Sequence, residues 1–128
     1  WMNETRMRVS GRRSMVDCVF ATGLPSAGRS DLPQTLKDLA QILPITAGVR
    51  NLGSPALDLA YVAAGRFDGV WERRLKVWDL AAGIVILKEA GGFIESIHPG
   101  GNMLEDGTVI GSNDQIFSQL SKAIRKSN

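Results

Sequence analysis

Cysteine and histidine are almost missing from this sequence, with one of each in 128 residues. Cys18 has no internal disulfide partner. It sits in the apolar run Val16-Asp17-Cys18-Val19-Phe20, which suits a buried, reduced thiol in a cytoplasmic protein. His98 falls in His98-Pro99-Gly100-Gly101-Asn102, which reads as a turn. With no second histidine and no cysteine beside it, zinc ligation is not expected. A Ser/His/Asp or Cys/His nucleophilic arrangement cannot be assembled from it either. No carboxylate pair suited to glycosidase chemistry is identifiable. Gly-x-Gly-x-x-Gly and Walker-type loops do not occur, so nucleotide motifs are absent. No apolar run is long enough to span a bilayer, so no membrane association is expected. Trp1-Met2-Asn3-Glu4-Thr5 opens polar, unlike a signal peptide. A start at Trp1 leads us to expect a piece of a longer chain. Charge of one sign is also scarce: the net value is +2. The basic residues collect at Arg6, Arg8, Arg12 and Arg13 and again at Lys122, Arg125 and Lys126. A nucleic-acid surface needs a denser patch, with aromatics interleaved for single strands, so solvated faces are the simpler reading.

What is present is an ordinary globular composition, 44% hydrophobic and 22% charged, in a length that suits one domain with a real core. Strands and helices alternate. Met7–Val9 and Val16–Thr22 read as strands, the second ending at Thr22-Gly23-Leu24-Pro25. Asp31–Leu43 reads as an amphipathic helix, with Leu32, Leu36, Leu39 and Leu43 as its apolar stripe, Pro33 in its first turn and Pro44 as its stop. A loop and short strand are expected over Ile45–Leu52. Ser54 then reads as an N-cap and Pro55 as the first residue of a helix that stops at Gly65. That helix is apolar nearly all round, Asp58 excepted. Asp68–Glu72 reads as a strand and Val77–Ala90 as a second mostly apolar helix, closed by Gly91-Gly92. Phe93–Ile97 and Thr108–Gly111 read as strands on either side of a Gly-rich turn. Ser112 or Asn113 is expected to cap a last helix whose buried stripe is Ile116, Leu120 and Ile124. The fold class is therefore α/β, a layered sandwich. Helices apolar on most faces need cover on more than one side, so a missing half or a partner chain is expected to share them.

Three groups could carry chemistry. Asp79, in Trp78-Asp79-Leu80-Ala81-Ala82-Gly83, opens a helix where the dipole favours an anion. It either caps that helix or serves as a rigid magnesium ligand. Ala81, Ala82 and Gly83 would let another backbone come close. Gly53-Ser54 opens the earlier helix, where free amides either await ordinary capping or bind phosphate and sugar hydroxyls. Glu72, at a strand end, is either a solvated charge beside Arg73 and Arg74 or an acceptor for sugar hydroxyls.

These groups occur in order. Ala56-Leu57-Asp58-Leu59-Ala60-Tyr61-Val62-Ala63-Ala64-Gly65-Arg66-Phe67-Asp68-Gly69 precedes Trp71-Glu72, Lys76-Val77-Trp78-Asp79-Leu80-Ala81-Ala82-Gly83 and Glu89-Ala90-Gly91-Gly92. The run resembles the carboxy-terminal signature of the inositol monophosphatase family, bacterial members especially. Phe20–Pro25 resembles that family's upstream strand end, and Arg50–Ser54 its Arg-x-x-Gly-Ser element. The match covers essentially the whole chain. It implies half of a five-layer α-β-α-β-α sandwich and a lithium-sensitive Mg2+-dependent phosphatase of inositol monophosphate, cytoplasmic and dimeric. Residue by residue, it makes Asp79 a ligand of a second, weaker magnesium. Gly53 and Ser54 would line the substrate pocket, and Glu72 would bind ring hydroxyls. It also implies what is absent: the family's Glu-Glu pair and Asp-Pro-Ile/Leu-Asp-Gly-Thr motif, which carry most metal ligands, do not occur. Pro55 stands where the family has a small residue. The expectation is an isolated chain without activity, completed by an amino-terminal half. A relative acting on another sugar or nucleotide phosphate, or a non-catalytic protein of transcription or RNA processing, remains open.

Overall fold

The computed structural model describes residues 7–23, 32–73 and 75–127, and for Asp79 the backbone alone. A five-stranded sheet lies between two pairs of helices. The strands are β1 (Val19–Thr22), β2 (Gly48–Arg50), β3 (Gly69–Glu72), β4 (Phe93–Glu95) and β5 (Val109–Ser112), in the spatial order β2-β1-β3-β5-β4. The β2-β1-β3 part is parallel, and β5 joins β3 antiparallel with β4 beyond it. The helices are α1 (Leu32–Ile42), α2 (Pro55–Ala63), α3 (Val77–Glu89), α4 (Met103–Asp106) and α5 (Phe117–Lys126).

Side chains alternate across a strand, so consecutive residues feed opposite cores. Phe20 and Trp71 belong to one core with Ile42, Ile116, Leu120 and Ile124, on the side of α1 and α5. Ala21 and Val70 belong to the other with Leu59, Val62, Leu80 and Leu87, on the side of α2 and α3. The α/β expectation therefore holds, as three layers within this chain. At the crossing of α2 and α3, a Cβ added to Gly83 would lie 2.3 Å from Leu59 Cδ1. Glycine is what lets the helices meet there. Ala81 and Ala82 face outward instead.

Several expectations need correction. Met7–Val9 is not a strand: it packs on the α2–α3 core past the end of α3, where Val9 N–H donates to the Ala90 carbonyl. The strand expected from Val16 begins at Val19, because Met15–Asp17 forms a 3-10 turn. Cys18 is buried as expected; burial pushes its thiol up to about 11, the nearby Asp68 charge adding to the effect, so it stays protonated. The leucine stripe of α1 is inverted. Leu32, Leu36 and Leu43 are exposed and only Leu39 of the stripe packs on the core, while Asp38 and Ile42 are buried. Asp38 turns inward because Arg73 meets it there, with Nε to Oδ2 at 2.7 Å. Pro44 does not end the helix cleanly; a 3-10 turn, Leu43–Ile45, carries it on. Thr108 stands outside β5, and Ile97 outside β4. The turn between them contains α4, which spacing alone did not reveal; Asn102 caps it. Asn113 Oδ1 accepts from the amides of Gln115 and Ile116, one turn before α5 itself begins. Leu24, Pro25, Asp31 and Arg74 lie outside the described residues.

Candidate functional site

Because β1, β2 and β3 are parallel, their carboxyl ends share one edge, and open α/β sheets bind ligands along that edge. Gly23 follows β1, residues 51–54 follow β2, and Glu72 ends β3. The segment after Glu72 leads directly into α3, whose third residue is Asp79. Topology alone therefore brings Gly53, Ser54, Glu72 and the backbone of Asp79 to the same edge. The strand that leads to Gly53 and the strand that ends at Glu72 are two spacings apart, about 10 Å.

At the start of α2, Ser54 takes extended backbone angles and its Oγ accepts from Leu57 N–H at 3.3 Å. Pro55 occupies the first turn, where its missing N–H costs nothing. Gly53 has φ of +77°, a left-handed conformation that disfavours other residues. Its amide is not free: it donates to Asn51 Oδ1 at 3.0 Å. The capping reading of Ser54 is thus correct, and its hydroxyl proton stays available to a further acceptor.

Glu72 is not a solvated charge. It is 5% exposed, because strand alternation turns it, like Val70, toward α2 rather than outward. Gly23 N–H donates to its Oε2 at 3.0 Å. A side chain at Gly23 would strike that oxygen, since an added Cβ would lie 2.7 Å away. The other neighbour is Asp58, 1% exposed on α2, whose carboxyl lies against that of Glu72. Burial, the bond to Asp58 and the Asp58 charge push Glu72 up to about 9, against the pull of the Gly23 amide. Burial also raises Asp58, and its bond to Glu72 opposes that rise. Asp58 was noticed in the sequence only as the one acid of an apolar helix. That isolation was the signal for it.

Arg73, next in the chain, points the other way and grips Asp38 on α1, with a second bond at 2.8 Å. Ser127 and Gln34 complete the hold on Asp38. The β3–α3 connection that carries the site is thereby tied to α1 and to the end of α5. Beside the start of α3 lies a shallow depression lined by Arg73, Leu75, Trp78, Leu104 and Asp106. Trp78 is 69% exposed, with Lys76 Nζ over its ring at 5.5 Å.

The basic ends are partly committed within the chain. Arg12 pairs with Asp68 and Arg125 with Glu95. No described helix is long and apolar enough to cross a membrane. Among the described residues no three of His, Cys, Asp and Glu stand close enough to hold a metal ion. The described residues therefore do not by themselves make up a magnesium site, and the Asp79 side chain lies outside them.

A sequence model of the inositol monophosphatase family matches residues 1–128. An inositol-1-monophosphatase of Mesorhizobium japonicum is 47% identical over 126 residues, covering 98% of this chain and 47% of that protein. The Nus factor SuhB of Pseudomonas aeruginosa is 38% identical, covering 97% and 46%. The crystal structure of the suppressor protein SuhB from Bartonella henselae superimposes with a TM-score of 0.91 at 42% identity, over 98% of this chain and 49% of that one. This chain thus spans about half the length of the relatives it matches. With its strand order, its carboxyl-edge loops and this likeness in hand, the chain belongs to the inositol monophosphatase family.

Proposed function

We propose that this chain is the carboxy-terminal half of a magnesium-dependent phosphomonoesterase that hydrolyses inositol monophosphate, its active site completed by an amino-terminal half. The observation that carries the reading is the shared carboxyl edge of β1, β2 and β3, where Gly53, Ser54, Glu72 and the start of α3 converge. An inositol-1-monophosphatase among the relatives supports the substrate. Asp79 is this chain's contribution to a metal shell whose remaining ligands lie in the other half. Magnesium, when bound there, activates a water and offsets charge on the leaving oxygen. The chain's own residues orient the alcohol portion of the substrate. Ser54 offers its free hydroxyl proton, and Glu72 offers Oε2, already fixed by the Gly23 amide. The protein is read as cytoplasmic and dimeric.

The test is a phosphate-release assay with inositol monophosphate and magnesium. The chain joined to its amino-terminal half should turn over, and Asp79→Asn should abolish turnover. The chain by itself should be inactive; robust Asp79-dependent activity from it would refute the two-half reading. A second reading is a role in transcription or RNA processing, favoured by relatives called Nus factor SuhB. It predicts that Asp79→Asn still rescues a deletion phenotype. The engagement of Arg12 and Arg125 inside the chain weighs against their serving as a nucleic-acid contact.

A further inference from the structure

Among the described residues, four acidic side chains are almost fully buried: Asp38, Asp58, Asp68 and Glu72. Two have a cation, Arg73 on Asp38 and Arg12 on Asp68. Asp68 also accepts from Ser10 Oγ and Val19 N–H. Asp58 and Glu72 have each other. Asp58 Oδ1 and Glu72 Oε1 are both buried with no donor among the described residues to satisfy them. A buried carboxylate oxygen left without a donor is costly, and two such oxygens on touching carboxyls compound the cost. One proton between them satisfies both, as donor from one and acceptor on the other. A cation could also join two carboxyls, yet no third acid, His or Cys among the described residues completes such a shell.

We propose that Asp58 is the positioning residue of Glu72: its Oδ1 accepts a proton held on Glu72 Oε1, which keeps Glu72 a neutral acid and aims Oε2 at the carboxyl edge of the sheet. The inference rests on the reading of Glu72 as a substrate contact. Among the described residues, the groups facing Glu72 are few. The Gly23 amide faces it from the end of β1, and the Asp58 carboxyl from α2. Its strand partner on β5 is the apolar Val109. Arg73 is turned to Asp38. Asp79 opens α3 with its side chain outside the described residues. Burial raises both carboxyls, so one proton stays between them. The pair then carries one negative charge instead of two. An anionic phosphate ester meets correspondingly less repulsion, and Oε2 keeps a lone pair for one substrate hydroxyl.

The proposal is tested by carboxyl 13C NMR and the infrared C=O stretch of the chain labelled at Glu and Asp, with Asp58→Asn and Glu72→Gln alongside, with and without magnesium. The unsubstituted chain should show one protonated carboxyl at pH 7 that ionises near 9. Glu72→Gln should remove that signal, and Asp58→Asn should move its ionisation down by about one pH unit or more. Full ionisation of every carboxyl at pH 7 in the unsubstituted chain overturns the proposal, and needs no variant to fold. So does an unmoved midpoint in Asp58→Asn, or a pair that is ionised and held by added magnesium. In the two-half protein, the rise of KM at alkaline pH should begin at lower pH in Asp58→Asn while kcat near neutrality changes less. A KM for inositol monophosphate unaltered by Glu72→Gln would remove the substrate role of Glu72 and leave the NMR result to judge the proton.

Discussion

At the scale of single residues, Glu72 makes a prediction about stability and pH. Its carboxyl is raised from 4.5 to about 9 in the folded chain. Between those values the folded state holds a proton that the unfolded state has released. Stability must therefore fall as pH rises through that window, by up to about 1.4 kcal/mol per pH unit for one proton. Below the lower value both states are protonated and the contribution is flat. Glu72→Gln keeps the shape and removes the titration. Urea denaturation from pH 5 to 9 should show the unsubstituted chain losing stability relative to Glu72→Gln, and a parallel pH dependence would contradict the buried-acid account. Asp38 carries a second residue-scale prediction of opposite character. It is gripped by Arg73 and Ser127, so Asp38→Ala removes the carboxylate that the Arg73 guanidinium holds and loosens α1 and α5 together. The expected loss is on the order of 3 kcal/mol, read from the denaturation midpoint.

Among the secondary elements, the α2–α3 contact is the tightest constraint on the site. Both helices begin at the carboxyl edge, so their crossing fixes where Ser54 and Asp79 start. The crossing depends on Gly83, which leaves no room for a methyl against Leu59. Gly83→Ala should cost about 1–3 kcal/mol despite alanine's better helix propensity, and Leu59→Ala in the same chain should recover part of the overpacking term. Thermal melts of the two single variants and the double decide it. Full additivity would show that the two residues do not press on each other. Ser54→Ala should cost about 1 kcal/mol through the lost cap on Leu57 N–H. If Ser54 also meets substrate, the same change should raise KM in the two-half protein beyond what Ser54→Asn, a conservative cap, produces.

The whole chain shows an apolar side left bare. Leu57, Val77, Trp78 and Val85 are exposed on α2 and α3, the face turned away from the sheet. The resemblance implies that the three layers seen here are one side of a five-layer sandwich, and the relatives it matches are about twice as long. The expectation follows that Trp78, but not the buried Trp71, is readily quenched by acrylamide in this chain. Joining the amino-terminal half should shield it and shift its emission to the blue. Trp78→Phe identifies the signal. Trp78 quenched to the same degree with and without the other half would mean that this face is solvent in the assembled protein too.

Local pattern decided much of this protein before any folding. Ser54-Pro55 sets the start of α2, Gly91-Gly92 ends α3, and the apolar spacing of Ile116, Leu120 and Ile124 makes the buried stripe of α5, because capping and periodicity act between near neighbours. The ordered run from Gly53 to Gly92 was enough to indicate the family. Pattern could not decide what distant residues would meet. Leu32, Leu36, Leu39 and Leu43 form a proper helical stripe, yet all but Leu39 face outward, since the inward side of α1 holds Asp38, gripped by Arg73 35 positions away. Glu72 beside Arg73 looked like a surface charge. The pleat of β3 sends the two to opposite faces and presses Glu72 against Asp58. Burial and the pairing of charges belong to the packed molecule, and only its tertiary structure could turn a lone acid on an apolar helix into half of a proton-sharing pair.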